Sequence, residues 1–176
     1  MIYKNLIIGT ANFGQQYGVI QKKKIKLSQV KKIIDFANQK KIKFFDTSLR
    51  YKNSEKILGK NITKHSKIIT KIPPIPSNVK FNDIEKWFDK QISLSLKKLK
   101  VKKFYAILLH KPESLLKKKG YKLYKALIDQ KKKKITEKIG ISIYNFDTLN
   151  KILKKFEIDV VQLPFNVFDQ RLLYKK

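Results

Sequence analysis

Four side chains of complementary chemistry stand at or just beyond the ends of predicted strands: Asp46, Tyr51, Lys71 and His110. A free tyrosine hydroxyl titrates near ~10, which is too high for ready proton transfer at neutral pH. A nearby ammonium stabilises the phenolate and is expected to lower that pKa, while a carboxylate holds the ammonium charged and in place. An imidazole can polarise a carbonyl oxygen and orient it. Together the four groups would form a proton donor for a carbonyl that receives hydride, with no metal ion required.

The hydrophobic pattern of the chain alternates between the two-residue period of strands and the 3.6-residue period of helices. Predicted strands cover residues 5–10, 43–48, 67–72, 104–110, 138–142 and 159–165. Predicted helices cover residues 28–41, 53–60, 82–99, 112–130 and 146–156, with a break near Gly120 in the fourth. Ser28 is the expected N-cap of the first helix, Asn53 or Ser54 that of the second, and Gly59 its C-terminal stop.

Strict alternation of strands and helices predicts one α/β domain over residues 1–176, built on a parallel sheet. An open doubly wound sheet and a (β/α)8 barrel of the TIM type both fit this alternation. Doubly wound nucleotide folds usually carry a G-x-G-x-x-G turn after the first strand. Here the glycines of "GTANFGQQYG" fall at 9, 14 and 18, and no helix is predicted to open there. The pattern therefore favours an incomplete barrel of about six β/α units, with its site at the carboxyl ends of the strands.

The formal net charge of +29 invites a nucleic-acid interpretation. However, only two of the 42 basic residues are arginines, Arg50 and Arg171. Arginine is the side chain best suited to bidentate contacts with phosphate and guanine. The lysine runs at 21–26 and 129–135 lie between patterned segments, where solvated loops belong. We therefore expect loose, salt-dependent attraction to polyanions and no specific nucleic-acid site.

The absence of cysteine excludes disulfides, thiolate metal sites and cysteine nucleophiles. The first apolar run of the chain is too short for a signal peptide or for a membrane span. We therefore expect no membrane association and a cytoplasmic location.

Five stretches, taken in order, resemble segments of the aldo-keto reductase family. The stretch at 46–59, DTSLRYKNSEKILG, is similar to the signature in which a tyrosine follows an aspartate by five residues and precedes a Ser-Glu helix. The stretch at 93–113, SLSLKKLKVKKFYAILLHKPE, is similar to the fourth-strand region of the family. The first, fifth and sixth strands of the family resemble LIIGTANFG (6–14), KIGISIYN (138–145) and VVQLPFN (160–166).

This resemblance implies a (β/α)8 barrel that binds NADP(H) at its C-terminal face and reduces a small carbonyl compound, such as an aldehyde, a ketone or a sugar-like molecule. It implies Tyr51 as proton donor, Lys71 and Asp46 as residues that tune it, and His110 as the residue that orients the carbonyl. Lys52 departs from the family, which commonly has glycine after the tyrosine.

The same resemblance implies a cofactor-binding set. Gly9, Thr10 and Asp46 would lie near the nicotinamide end of the cofactor. Ser142 and Gln162 would hydrogen-bond the nicotinamide carboxamide. The resemblance implies no metal ligands.

Each assigned side chain also has a structural interpretation that the sequence leaves open. Asp46 would cap a helix, Tyr51 would be a surface aromatic and His110 a core histidine. Ser142 would cap the following turn, and Gln162 would satisfy buried backbone groups. Lys71 is one lysine among many.

The length of the chain predicts an incomplete barrel. A complete barrel takes ~250 residues and eight strands, whereas this chain has 176 residues and six predicted strands. We expect a truncated gene product with open sheet edges that favour self-association, weak cofactor binding and little turnover in isolation. The alternative is a catalytically weak or inactive fragment that acts only as a scaffold or needs a second chain.

Overall fold

The computed structural model describes residues 3, 5–18 and 25–170, and within them six strands form one sheet. All five pairs of neighbouring strands are parallel. The strands are β1 (Ile7–Gly9), β2 (Phe44–Asp46), β3 (Lys67–Ile72), β4 (Phe104–Leu109), β5 (Thr136–Ser142) and β6 (Val160–Gln162). Every predicted strand is present. The strands β1, β2, β4 and β6 are shorter than predicted, and β5 begins earlier, at Thr136. Arg171 lies outside the described residues.

Helices connect each strand to the next on the outside of the sheet. They are α1 (Ala11–Gly14), α2 (Leu27–Gln39), α3 (Ser54–Leu58), α4 (Ile84–Leu99), α5 (Gly120–Lys132) and α6 (Phe146–Leu153). Two 3-10 turns, Phe81–Asp83 and Pro112–Leu116, precede α4 and α5, so the predicted break near Gly120 is confirmed. None of these helices is long and apolar enough to cross a membrane.

The strands follow one another in sequence order across the sheet, from β1 to β6. A doubly wound sheet reverses its order at a switch point, so sequential order indicates a barrel. The sheet is also curled, because Nε2 of Gln162 on β6 lies 3.2 Å from Oδ1 of Asp46 on β2. In a flat sheet these two strands would be ~19 Å apart, at ~4.8 Å per strand. The fold is therefore six units of a (β/α)8 barrel, as the sequence predicts.

Two predictions about helix starts are wrong. A helix does open directly after β1, because α1 begins at Ala11 and buries Phe13. Ser28 is not an N-cap, because α2 already begins at Leu27. The side-chain oxygen of Gln29 accepts from the backbone N–H of Lys26 at 3.1 Å, so this N–H group just before the helix has a hydrogen-bond partner.

The start and end of α3 are closer to expectation. Asn53 occupies the N-cap position of α3, although its side chain makes no capping hydrogen bond. Gly59 ends the helix, as predicted.

The two faces of the sheet carry cores of very different size. The outer face packs under the helices in a large apolar cluster that includes Phe45, Phe88 and Ile107. A second, small cluster contains Ile69, Ala106 and Leu108. Because residues of a strand alternate between faces, Ile69 shares the inner face with Lys71. The small inner cluster thus lies beneath the polar residues at the carboxyl ends of the strands.

Among the residues that the structure describes, both ends of the sheet are open. β1 and β6 each pair with one described strand, so each offers unpaired backbone groups along one side. Large apolar side chains are exposed next to both strands: Leu6, Ile7, Leu163, Phe165, Val167 and Phe168. These edges are the open flanks that an incomplete barrel is expected to have.

Candidate active site

A cavity of about 270 Å³ opens at the carboxyl ends of the strands, and its wall is formed by residues of β1, β2, β3, β5 and β6 and by His110, which directly follows β4. Its lining contains Gly9, Ala11, Tyr17, Asp46, Tyr51, Lys71, His110, Ser142, Tyr144, Gln162, Leu163 and Pro164. Parallel strands end at the same rim of a barrel, so residues far apart in sequence meet there. The four predicted catalytic residues and four of the five predicted cofactor residues share this one cavity.

Lys71 and Asp46 form a buried ion pair in the wall of the cavity. The ammonium of Lys71 lies 2.5 Å from Oδ1 and 2.7 Å from Oδ2 of Asp46. Only 2% of Lys71 and 8% of Asp46 is exposed. Burial lowers the pKa of Lys71, and the Asp46 carboxylate opposes that change. The same ammonium donates to the carbonyl of Thr47 at 3.3 Å, which leaves it fixed in one orientation.

The hydroxyl of Tyr51 reaches this ion pair. Nζ of Lys71 lies 3.4 Å from Oη of Tyr51 and 5.3 Å from the centre of its ring. Burial raises the pKa of Tyr51, and the negative charge of Asp46 raises it further. The sequence-based expectation of a lowered pKa is therefore wrong. Burial and the Asp46 carboxylate outweigh the Lys71 ammonium 3.4 Å away, so Tyr51 is held as a neutral phenol that can donate a proton.

His110 lies next to Tyr51. The two rings meet edge to face, with centroids 6.2 Å apart. Nδ1 of His110 is 3.1 Å from Oγ of Ser48, which fixes the plane of the imidazole. Burial, and then the positive charge of Lys71, lower the pKa of His110 to about 4. At neutral pH the side chain is a neutral imidazole, which can hydrogen-bond a carbonyl oxygen without carrying a charge.

The titration of His110 tests this electrostatic environment directly. We expect a pKa of about 4 in proton–nitrogen NMR spectra recorded against pH. The only other histidine is the exposed His65, so a His65→Gln variant assigns both signals. Titration of His110 near ~6.5 would contradict the buried, cation-flanked environment.

The lowered pKa also predicts the direction of a stability change. The folded chain binds this proton less tightly than the unfolded chain, whose histidine pKa is 6.5. His110 therefore contributes stability that is present above pH 6.5 and is lost as the pH falls towards about 4. The difference in free energy of unfolding between the wild type and His110→Gln should shrink over that range.

The cavity wall can accommodate a bound amide group beside Gly9, Ser142 and Gln162. Nε2 of Gln162 donates to Asp46 at 3.2 Å, while its buried Oε1 has no protein partner. That oxygen can accept from an amide N–H group of a ligand. Ser142 is 7% exposed at the end of β5. A Cβ at Gly9 would meet nothing within 4 Å, so the space beside Gly9 is open to a ligand.

Thr10 is the predicted cofactor residue that the structure does not bring to the cavity. Its side chain is fully buried. Its hydroxyl donates to the carbonyl of Asp46 at 2.9 Å and lies 2.9 Å from the hydroxyl oxygen of Ser54. Thr10 is thus placed to support Asp46 from behind. Among the described residues, no group of three or more His, Asp or Glu side chains lies close enough to hold a metal ion.

The sequence profile of the Aldo/keto reductase family matches residues 5–175. The chain belongs to the aldo/keto reductase family. No curated protein sequence matches it.

Solved aldo-keto reductase structures have the same fold. A Pseudomonas aeruginosa protein assigned to the aldo-keto reductases superposes with a TM-score of 0.75 at 19% identity, covering 93% of this chain and 64% of its own. The aldo-keto reductase of Bacillus halodurans, in its holo form, gives a TM-score of 0.69 at 16% identity over 91% of this chain and 53% of its own. The aldo-keto reductase of Klebsiella pneumoniae, in complex with NADPH, gives a TM-score of 0.63 at 14% identity over 85% of this chain and 49% of its own. The chain therefore spans about half to two thirds of the length of these structures.

Three features of the Tyr51 segment in this aldo/keto reductase chain were missed by sequence reasoning. Oγ of Ser54 donates to the carbonyl of Thr10 at 2.7 Å, which ties the segment to the end of β1. Gly14 of α1 packs so closely that a Cβ there would collide with the backbone of Tyr51 and Ser54. Lys52 has a positive φ of 47°, a conformation that glycine adopts freely and that explains the usual glycine of the family at this position.

A fourth missed feature of this segment is the buried Glu55, which is 1% exposed. A feature of the nearby sequence could have indicated these residues. The polar run from Ser48 to Glu55 lies between two predicted site residues, and buried polar side chains in such a segment need hydrogen-bond partners.

Proposed function

We propose that this chain is the catalytic part of an oxidoreductase that transfers hydride between NADP(H) and a small carbonyl compound, with Tyr51 as proton donor. The observation that carries the proposal is the convergence of Tyr51, the Lys71–Asp46 ion pair and His110 on one cavity. Family membership supports the same reaction class.

The proposed roles follow from the positions of the side chains. His110 donates a hydrogen bond to the substrate carbonyl oxygen and places it near the hydroxyl of Tyr51. The hydroxyl of Tyr51 gives its proton to that oxygen as the carbonyl carbon becomes tetrahedral. The ammonium of Lys71, 3.4 Å away, stabilises the phenolate that this transfer creates. Asp46 keeps the ammonium in place, and a proton from solvent restores the phenol.

A nicotinamide cofactor fits the residues around the cavity. When bound, NADPH supplies the hydride and leaves as NADP+. Gln162 and Ser142 would hold its carboxamide, since Oε1 of Gln162 lacks a protein partner. Gly9 and Asp46 would lie along the nicotinamide, and Thr10 would support Asp46. The choice of NADP(H) over NAD(H) rests on the resemblance, with the NADPH complex of the Klebsiella pneumoniae relative as support.

A titration with NADPH, followed by its fluorescence, tests the proposal. Saturable binding that Gln162→Leu and Ser142→Ala weaken is the expected result. Slow NADPH-dependent reduction of a simple aldehyde, measured at high protein concentration, is expected alongside it. Binding without saturation would instead favour the alternative, a fragment that acts only as a scaffold or needs a second chain.

The proposal also covers the partners, the location and the self-association of the chain. Its partner is a small-molecule substrate, and it acts in the cytoplasm. Self-association would pair the open edges of β1 and β6, where apolar side chains are exposed. Binding of nucleic acid that survives at physiological salt would contradict the expectation that the lysines form a solvated surface.

A further inference from the structure

We infer that Glu55 is a positioning residue for Tyr51: its buried carboxyl ties the segment that carries Tyr51 to β3, beside Lys71. This inference rests on the proposed function, because it assigns the tie to the geometry of the proton donor.

The carboxyl of Glu55 joins three elements of the fold. Its Oε1 accepts from the hydroxyl of Thr70 on β3 at 2.8 Å and from that of Ser95 on α4 at 2.7 Å. Glu55 itself lies in the first turn of α3. Thr70 and Ser95 are both fully buried, and Glu55 is 1% exposed. The three side chains therefore form a closed polar cluster inside an otherwise apolar layer.

The strand partner of Glu55 is the immediate neighbour of Lys71. Side chains alternate along a strand, so Thr70 faces the helices while Lys71 faces the cavity. The hydrogen bond from Thr70 to Glu55 on the outer face therefore restrains the backbone of β3 at Lys71, the next residue. The cluster is separated from the active site only by the thickness of β3.

On the α3 side, Glu55 is linked to Tyr51 through the backbone. The backbone N–H of Ser54, the residue before Glu55, donates to the carbonyl of Tyr51 at 2.8 Å. A shift of α3 relative to β3 would therefore move Tyr51 relative to Lys71. The distance at stake is the 3.4 Å between Oη of Tyr51 and Nζ of Lys71.

Stability alone does not account for a carboxyl at this position. Burial raises the pKa of Glu55, while the hydrogen bonds from Ser95 and Thr70 oppose that change. The second oxygen, Oε2, is buried and has no protein partner. Apolar residues that replace buried charged groups often leave stability unchanged or increase it. A purely structural role would thus be served by apolar residues at positions 55, 70 and 95 together, whereas a directional tie needs an oxygen that accepts two hydroxyl hydrogens.

The test compares Glu55→Leu with Glu55→Gln, whose amide oxygen can still accept from both hydroxyls. The matched control is Glu85→Leu, because Glu85 also lies in the first turn of a helix but is 42% exposed. The first readout is the ring NMR signal of Tyr51 in tyrosine-labelled protein, assigned among the eight tyrosines with Tyr51→Phe. This readout needs neither cofactor nor turnover, so it is independent of the proposed function.

We expect Glu55→Leu to shift the Tyr51 signal, and Glu55→Gln and Glu85→Leu to leave it near the wild-type position. In the reduction assay, Glu55→Leu should lower kcat by about 10- to 100-fold, as misplacement of a catalytic group by ~1 Å does. The Kd for NADPH should stay within about twofold, since general-acid geometry does not enter ground-state binding.

An unmoved Tyr51 signal in Glu55→Leu would overturn the inference, as would equal shifts in the Leu and Gln variants. If Glu55→Leu does not fold, Thr70→Val removes one of the two hydrogen bonds without changing the shape of the side chain. A Tyr51 signal that is unchanged in Thr70→Val would then count against the tie. A shifted signal in a chain that does not reduce carbonyls would keep the tie and remove the proposed function.

Discussion

Replacing Tyr51 by phenylalanine is expected to abolish carbonyl reduction while leaving cofactor affinity near the wild-type value. The substitution keeps the ring and its packing against Tyr17 and His110, whose ring centroids each lie 6.2 Å away. It removes only the hydroxyl, which lies 3.4 Å from the Lys71 ammonium and is the proposed proton source. General acid catalysis typically contributes 10²- to 10⁴-fold, so kcat should fall by at least about 100-fold.

The loss of reduction is measured as NADPH consumed in the presence of a simple aldehyde, under single-turnover conditions with protein in excess. Cofactor affinity is measured separately by fluorescence titration. Tyr121→Phe is the control, because Tyr121 lies on α5 and is 75% exposed. Simultaneous loss of binding and reduction in Tyr51→Phe would mean that the hydroxyl of Tyr51 maintains the structure of the cavity.

The strands and their order could be predicted from the sequence because each strand of a parallel barrel is a compact apolar run followed by a helix. The run from Phe104 to Leu109 is a clear case, since nearly all of its residues are buried. The four-residue α1 could not be predicted in this way. It is too short to display a helical period, and it is held by tertiary packing of Phe13 and Gly14.

The convergence of Asp46, Tyr51, Lys71 and His110 could also be predicted, because the carboxyl ends of parallel strands share one rim. The direction of the Tyr51 pKa shift could not be predicted, because it depends on how deeply the hydroxyl is buried and on how close the Asp46 carboxylate lies. Both are properties of the folded chain. The catalytic roles of these residues stay predictions until the variants are measured.

Thr10 and Glu55 show the same limit for side chains whose partners are distant in sequence. Thr10 is 44 residues from Ser54, and Glu55 is 40 residues from Ser95. A threonine after a strand and a glutamate on a short helix have many interpretations when their partners are unknown. Only the folded structure identifies Thr10 as support for Asp46 and Glu55 as a tie to β3.

Replacing Lys71 by methionine is expected to cost about 3–5 kcal/mol of unfolding free energy, because it leaves the carboxylate of Asp46 buried without its counter-ion. The ammonium now contacts both oxygens of that carboxylate, at 2.5 and 2.7 Å. After its removal, the side chain of Gln162 is the remaining donor to Oδ1, at 3.2 Å. One amide hydrogen bond does not offset the desolvation of a carboxylate that is 8% exposed.

Urea unfolding followed by circular dichroism measures this cost, and Lys131→Met provides the matched control. Lys131 pairs with Asp159 at a similar distance of 2.7 Å, but its side chain is 44% exposed. Exposed pairs contribute about 0–1 kcal/mol, so the control should lose little. The double variant Lys71→Met, Asp46→Asn should recover part of the loss, because it removes the uncompensated charge.

The same Lys71→Met variant makes an independent electrostatic prediction. The charge of Lys71 is one of the causes that lower the pKa of His110, so the pKa should rise from about 4 when that charge is removed. Burial, the first cause, remains, so the pKa should stay below the ordinary histidine value. A large loss of stability with an unchanged pKa for His110 would mean that the Lys71 ammonium stabilises the rim of the barrel without acting on the groups proposed to bind the carbonyl.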